Sequence, residues 1–213
     1  MVTRNDDAQW HDIVHGTFEG LLRGFTNGVA SHNTSLCPMS DSNVSFLNAP
    51  LCMGNIGELV DKHFSGFLQH MDQESLPNVN GSVYAPSFGS LDCLTCTDAL
   101  AKGTLKTIRQ RRKLNCGVID DPKIKGLSLM SELYCRAVAV ALFQGDASAV
   151  NITHFDSFND TFKELSEGGL DMVAGESRYG LMGWWSPYLS GWLADLSGHF
   201  RFSIPYYYTS LDK

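Results

Sequence analysis

Positive charge is scarce in this sequence: 16 Lys and Arg stand against 23 Asp and Glu over 213 residues, a formal net charge of -7. A chain of that sign lacks the field that draws proteins to nucleic acid or to anionic membranes, so small solutes and proteins are the expected partners. Long apolar runs are missing too. The longest candidate, residues 134 to 143, is broken by Arg136 and falls short of the roughly 18 apolar residues of a membrane helix. The opening residues place Asp6 and Asp7 where a secretory signal would carry its apolar stretch, so no signal peptide is expected in the chain as it stands. Phosphate loops, dinucleotide fingerprints and nucleophile elbows are likewise lacking, which removes the enzyme classes with the plainest local signatures.

What is present suits a folded chain. Hydrophobic residues make up 43% and charged residues 18%, enough apolar surface for a core and too little charge for a mainly disordered polypeptide. Six Cys, an even number, and five N-x-S/T sequons at Asn33, Asn43, Asn80, Asn151 and Asn159 favour a secretory origin, which leaves a missing true amino terminus as an open alternative.

The chain divides by its periodicity. After a cap at Asp6 or Asp7, Trp10, Ile13, Val14, Phe18, Leu21, Leu22 and Phe25 recur on one helical face until Asn27-Gly28. A Ser-, Asn-, Cys- and Pro-rich loop is expected over 31–50, and a second amphipathic helix over 56–71. Residues 72–96 carry no period and hold Pro77, Asn80-Gly81, Pro86 and Gly89, a connection rather than an element. From Thr104 helices and strands alternate. The pattern predicts a helix over 104–112, a strand over 114–119, a helix over 129–143, a strand over 150–155, a helix capped by Ser157 and ended by Gly168-Gly169, and a strand over 170–175. An extended segment follows over 200–208. This β-α-β-α-β order implies a mostly parallel sheet covered by helices, which binds ligands beyond the carboxyl ends of its strands, here near 119–125, Asp156 and 176–179.

Two stretches, Thr104-Leu-Lys-Thr-Ile-Arg-Gln-Arg-Arg-Lys-Leu-Asn-Cys-Gly-Val118 and Leu133-Tyr-Cys-Arg-Ala-Val-Ala-Val-Ala-Leu-Phe143, resemble the opening lobe of the polar amino-acid-binding proteins of ABC transporters. Leu165-Ser-Glu-Gly-Gly-Leu-Asp-Met-Val173 and Phe202-Ser-Ile-Pro-Tyr-Tyr207 continue that similarity in order. The amino-terminal Gln9-Trp-His-Asp-Ile-Val-His-Gly-Thr-Phe18 is similar to the W-x-D-I-V-x-W-T helix near the family's carboxyl terminus, and Gly54-Asn-Ile-Gly-Glu58 to its later G-N-Y-G-E turn. The resemblance thus implies the tail of one binding module (1–90), a linker (91–103) and the amino-terminal lobe of the next (104–213). The fold implied is a three-layer α/β lobe of the type II periplasmic-binding-protein class, its second lobe missing, in which tail and head rebuild one lobe in permuted order.

The function implied is non-catalytic binding of an amino acid or related solute, without a cofactor, by part of a tandem protein serving a membrane transporter. A ligand-sensing receptor domain of the same fold is the alternative. The full-length protein is then extracellular or periplasmic-like. Recognition of an α-carboxylate favours the planar fork of Arg with hydroxyl donors beside it, and the segment where the family places these reads Gly175-Glu-Ser-Arg-Tyr-Gly180. Glu176, Ser177, Arg178 and Tyr179 are therefore the candidate ligand residues, with Asp120 in the loop after the first strand of the lobe. An enzyme on this fold would need an acid in the cleft, for which Glu176 is the candidate. His11 and His15 are one helical turn apart but lack the Glu and third ligand of a zinc protease. Cys93-Leu-Thr-Cys96 has no second closely spaced pair to complete a zinc site, and ordinary disulfides, Cys37–Cys52 and Cys116–Cys135, are the expected pairs in a secreted chain.

Overall fold

A computed structural model describes residues 1–4, 6–29, 31, 48–64, 103–120, 127–174 and 200–202. Helix α1 (Ala8–Thr26) buries the apolar stripe that its spacing dictates, with Trp10, Ile13, Val14, Phe18 and Leu21 sealed from solvent. It starts at Asp7, whose extended backbone breaks the chain direction and whose Oδ1 accepts the Trp10 N–H at 3.0 Å. The other carboxylate oxygen, Oδ2, accepts the Leu105 N–H at 2.9 Å, so one side chain also caps α4 (Gly103–Arg111).

Between them lie two helices. The stretch expected as loop to residue 50 closes with α2 (Asn48–Met53), where Pro50 sits in the first turn and removes no intrahelical donor. It approaches α1 where Gly24 leaves room, since a Cβ there would come within 2.8 Å of that of Pro50. Next, α3 (Ile56–Phe64) opens on a reciprocal capping box. The Asn55 Oδ1 accepts the Glu58 N–H at 3.0 Å, and the Glu58 Oε2 accepts the Asn55 N–H at 2.9 Å. The remainder of the helix expected to reach Met71 lies outside the described residues.

The sheet has five strands in the order β3-β2-β4-β1-β5: β1 (Val2–Arg4), β2 (Leu114–Ile119), β3 (Val150–Phe155), β4 (Met172–Ala174) and β5 (Phe200–Phe202). β2 pairs in parallel with β3, Cys116 opposite Ile152, and with β4, Cys116 opposite Met172. β1 enters antiparallel between β4 and β5, with Val2 opposite both Val173 and Phe202. Four strands therefore run one way and one against them, which makes the sheet mixed where the β-α-β-α-β pattern alone implied a mostly parallel one. Three residues are too few to display a period, so β1 was invisible to the pattern.

Alternation along the strands sorts two cores. Cys116, Val118, Met172 and Ala174 face α1 and α5 (Leu127–Leu142), in a cluster with Trp10, Phe18, Leu133, Tyr134 and Val138. Val2, Ile119 and Val173 face the other way, against Phe162 and Leu165 of α6 (Phe158–Glu167) and against Leu170. Helices thus cover both faces, and the chain is α/β. The amino-terminal segment is stitched in by polar groups as well as by packing. The Arg4 guanidinium donates to Leu165 O at 2.8 Å, Leu170 O at 2.6 Å and Thr104 Oγ1 at 2.6 Å, while the Trp10 indole N–H donates to Asp171 O at 2.9 Å. Burial pushes the Asp171 carboxyl up, against the Asn115 N–H at 2.7 Å and the Arg111 guanidinium that donate to it. A disulfide joins Cys116 of β2 to Cys135 of α5, Cα atoms 6.0 Å apart, as expected from their strand-and-following-helix placement. Cys52 is also disulfide-bonded; the pairing expected for it with Cys37 lies outside the described residues. Among the described residues no helix is long and apolar enough to cross a membrane.

Candidate functional site

Parallel strands deliver their loops at the carboxyl edge, and the described polar cluster at that edge is built on Asp120. This residue follows the last residue of β2, and its N–H donates to Phe155 O at 2.9 Å, continuing the β2–β3 ladder one step past the strand. The ladder fixes what stands beside it. His154, next to last in β3, turns its Nδ1 to both Asp120 oxygens, at 3.0 and 3.1 Å. Its Nε2 lies 3.4 Å from Oε1 of Glu132, which α5 brings in from its second turn. Alternation explains the meeting: His154 stands opposite Val118, and both lie on the α5 face of the sheet.

An imidazole between two carboxylates has specific capabilities. With Asp120 ionised, the ring hydrogen belongs on Nδ1, leaving Nε2 an acceptor; the doubly protonated ring donates to both acids at once. The side chains are open to solvent, His154 at 43%, Asp120 at 37% and Glu132 at 26%. Ion pairs so exposed contribute under about 1 kcal/mol, so the cluster adds little to folding. Because the two acids approach opposite nitrogens, the three groups do not converge as ligands of one metal ion. Among the described residues no group of three His, Cys, Asp or Glu side chains is placed to hold a metal.

No family model, curated protein or solved structure with which the chain was compared matches it.

Of the five candidate ligand residues, Asp120 stands at the expected edge. Glu176, Ser177, Arg178 and Tyr179 lie outside the described residues; they follow Ala174, which ends β4 opposite Val118 of β2. His154 and Glu132 were not anticipated. Alternation carries part of the signal: once the register of β3 against β2 is fixed, His154 falls beside the residue that leaves β2, here Asp120.

The two histidines of α1 are accounted for differently. Nδ1 of His11 lies 3.0 Å from Thr3 Oγ1, and the His11 and His15 rings stack with centroids 6.1 Å apart. Burial lowers the pKa of His15, with Glu19 and Asp12 opposing that shift. Gly54-Asn-Ile-Gly-Glu58 serves the start of α3. Burial opposes ionisation of Glu58, yet the N–H groups of Asn55 and Ser31 and the Ser31 hydroxyl hold its carboxyl below the ordinary value.

Proposed function

We propose that this chain is a solute-binding lobe of the type II periplasmic-binding-protein class, taking a small polar solute of amino-acid type at the carboxyl edge of β2 and β3. One observation supports this above the others. Strand β1 and helix α1, from the segment likened to a module's tail, enter the sheet and its core beside elements from the segment likened to the next module's head. That joining is what tail and head would do if they rebuilt one lobe in permuted order.

The chemistry of the edge suits the reading. Two carboxylates and an imidazole form an acid-rich corner whose charge complements the ammonium group of an amino acid. Asp120 and His154 are its proposed anchors. Arg178 with Ser177 is proposed for the α-carboxylate, Tyr179 for the aliphatic stem, and Glu176 as a second acid. The role is binding rather than catalysis, with a membrane transporter as the downstream partner.

Pockets of two-lobed binders cover about 70–90% of a ligand, and one lobe retains roughly half of those contacts. Affinity is accordingly weak, with Kd at about the millimolar level, ~-4 kcal/mol. Calorimetric titration against a panel of amino acids tests this. Millimolar binding that weakens in Asp120→Asn is the expected result; no binding well above that concentration contradicts the reading, and micromolar binding contradicts the half-site argument.

A further inference from the structure

We propose that Asn151 and Asn159 are N-glycosylation sites, and that their glycans cover the edge of β3 that no described strand pairs, while leaving the Asp120–His154 corner free. Each opens a sequon, Asn151-Ile-Thr153 and Asn159-Asp-Thr161, and both Asn side chains are exposed.

Register decides which way the first one points. Asn151 stands opposite Asn115 and Thr153 opposite Gly117. A Cβ on Gly117 would meet Leu170, Thr161 and Phe155, so this is the α6 face. Asn159 lies in the first turn of α6 itself. His154, one residue out of phase, stands on the opposite face with Glu132. Both sequons therefore serve one face, and the acid–imidazole corner lies on the other.

The edge has a need that a glycan meets. Among the described residues β3 pairs with β2 alone, at the end of the sheet. Exposed edges invite pairing with other chains and are commonly blunted by Lys, Pro or inward-pointing charge. Val150-Asn-Ile-Thr-His-Phe155 has no Lys, Arg, Asp, Glu or Pro. A bulky polar substituent at Asn151 supplies the missing block. The Cys116–Cys135 disulfide is at home in the same oxidising route.

The modification fits the fold chemically. The Asn amide nitrogen bonds to the anomeric carbon of an oligosaccharide carried on a polyisoprenyl pyrophosphate. The anomeric C–O bond breaks, its electron pair leaves with the lipid pyrophosphate, and one amide proton is released. The product keeps one N–H, enough for the hydrogen bond that Asn151 Nδ2 donates to Asn115 Oδ1 at 3.1 Å.

The test expresses the full chain behind a secretion leader in a glycosylating eukaryotic host. Protein from cells and medium is treated with peptide-N-glycosidase in heavy-oxygen water, and occupied Asn is read as labelled Asp by peptide mapping. Label at both 151 and 159 is expected. Thr153→Ala, which keeps the Asn151–Asn115 pair, should remove label from 151 only, and Asn159→Gln from 159 only. Unlabelled Asn at both positions overturns the proposal, and unlabelled Asn151 alone overturns the edge cover. Enzymatic removal of the glycans from native protein should also increase its sedimentation as larger species; an unchanged monomer contradicts the covering role. No solute enters these readouts, so they stand or fall apart from the binding proposal.

Discussion

Removing the cross-link between β2 and α5 gives the prediction whose size is most directly worked from the structure. Cys116 and Cys135 are 19 positions apart, and both are fully buried. Closing a loop of that length in the unfolded chain removes entropy corresponding to roughly 3 kcal/mol at 25 °C on the chain-entropy account. The double variant Cys116→Ala/Cys135→Ala also leaves two sulfur-sized gaps beneath α5, which adds on the order of 1 kcal/mol. A loss of about 3–4 kcal/mol is a large part of a typical domain's stability of roughly 5–15 kcal/mol. Equilibrium urea unfolding followed by far-ultraviolet circular dichroism reads it. The midpoint should fall markedly, and the slope should rise somewhat because the uncrosslinked unfolded chain exposes more surface. An unchanged midpoint would refute the reasoning, since neither loop closure nor the buried sulfurs would then be contributing.

Three further substitutions probe the caps, close packing and buried hydrogen bonds of the fold. Glu58→Ala breaks the capping box of α3 and should cost about 1 kcal/mol at neutral pH. Because the Glu58 carboxyl titrates below its ordinary value in the folded state, this contribution is present above the unfolded-state value and is lost as pH falls through the folded one. The difference from wild type in thermal unfolding should therefore shrink in acid, and a pH-independent difference would contradict the cap. Gly117→Ala would place a Cβ 2.6 Å from Leu170 Cδ1 and 3.3 Å from Thr161 Cγ2, so denaturant unfolding should show a loss of about 1–3 kcal/mol. Arg4→Met leaves the Leu165 and Leu170 carbonyls without that donor and should cost about 2 kcal/mol, with amide hydrogen exchange rising first in β1 and β4.

Legibility followed sequence distance and element length. α1, β2, β3, α5 and α6 are long enough for their period to be counted, and β2 and β3 fall where alternation and length placed them, at 114–119 and 150–155. β1 failed on both grounds: it has three residues, and its partners Val173 and Phe202 are far along the chain. α2 was hidden because Pro50 reads as a breaker until its place in a first turn is known. Asp120 could be placed at a carboxyl edge from strand order alone. His154 and Glu132 could not, because their meeting depends on the register of β3 against β2 and on the phase of α5, neither of which a single sequence fixes.

The central claim is that the Asp120–His154–Glu132 corner receives an ammonium-bearing solute. Proton nuclear magnetic resonance of the His154 ring, assigned by its absence in His154→Gln, tests this during titration with a free amino acid and then with its N-acetylated form. The account predicts millimolar, saturable movement of the His154 signals with the free amino acid, little with the acetylated one, and none with either in Asp120→Asn. Equal movement with both ligands, or none with the free amino acid, would contradict it.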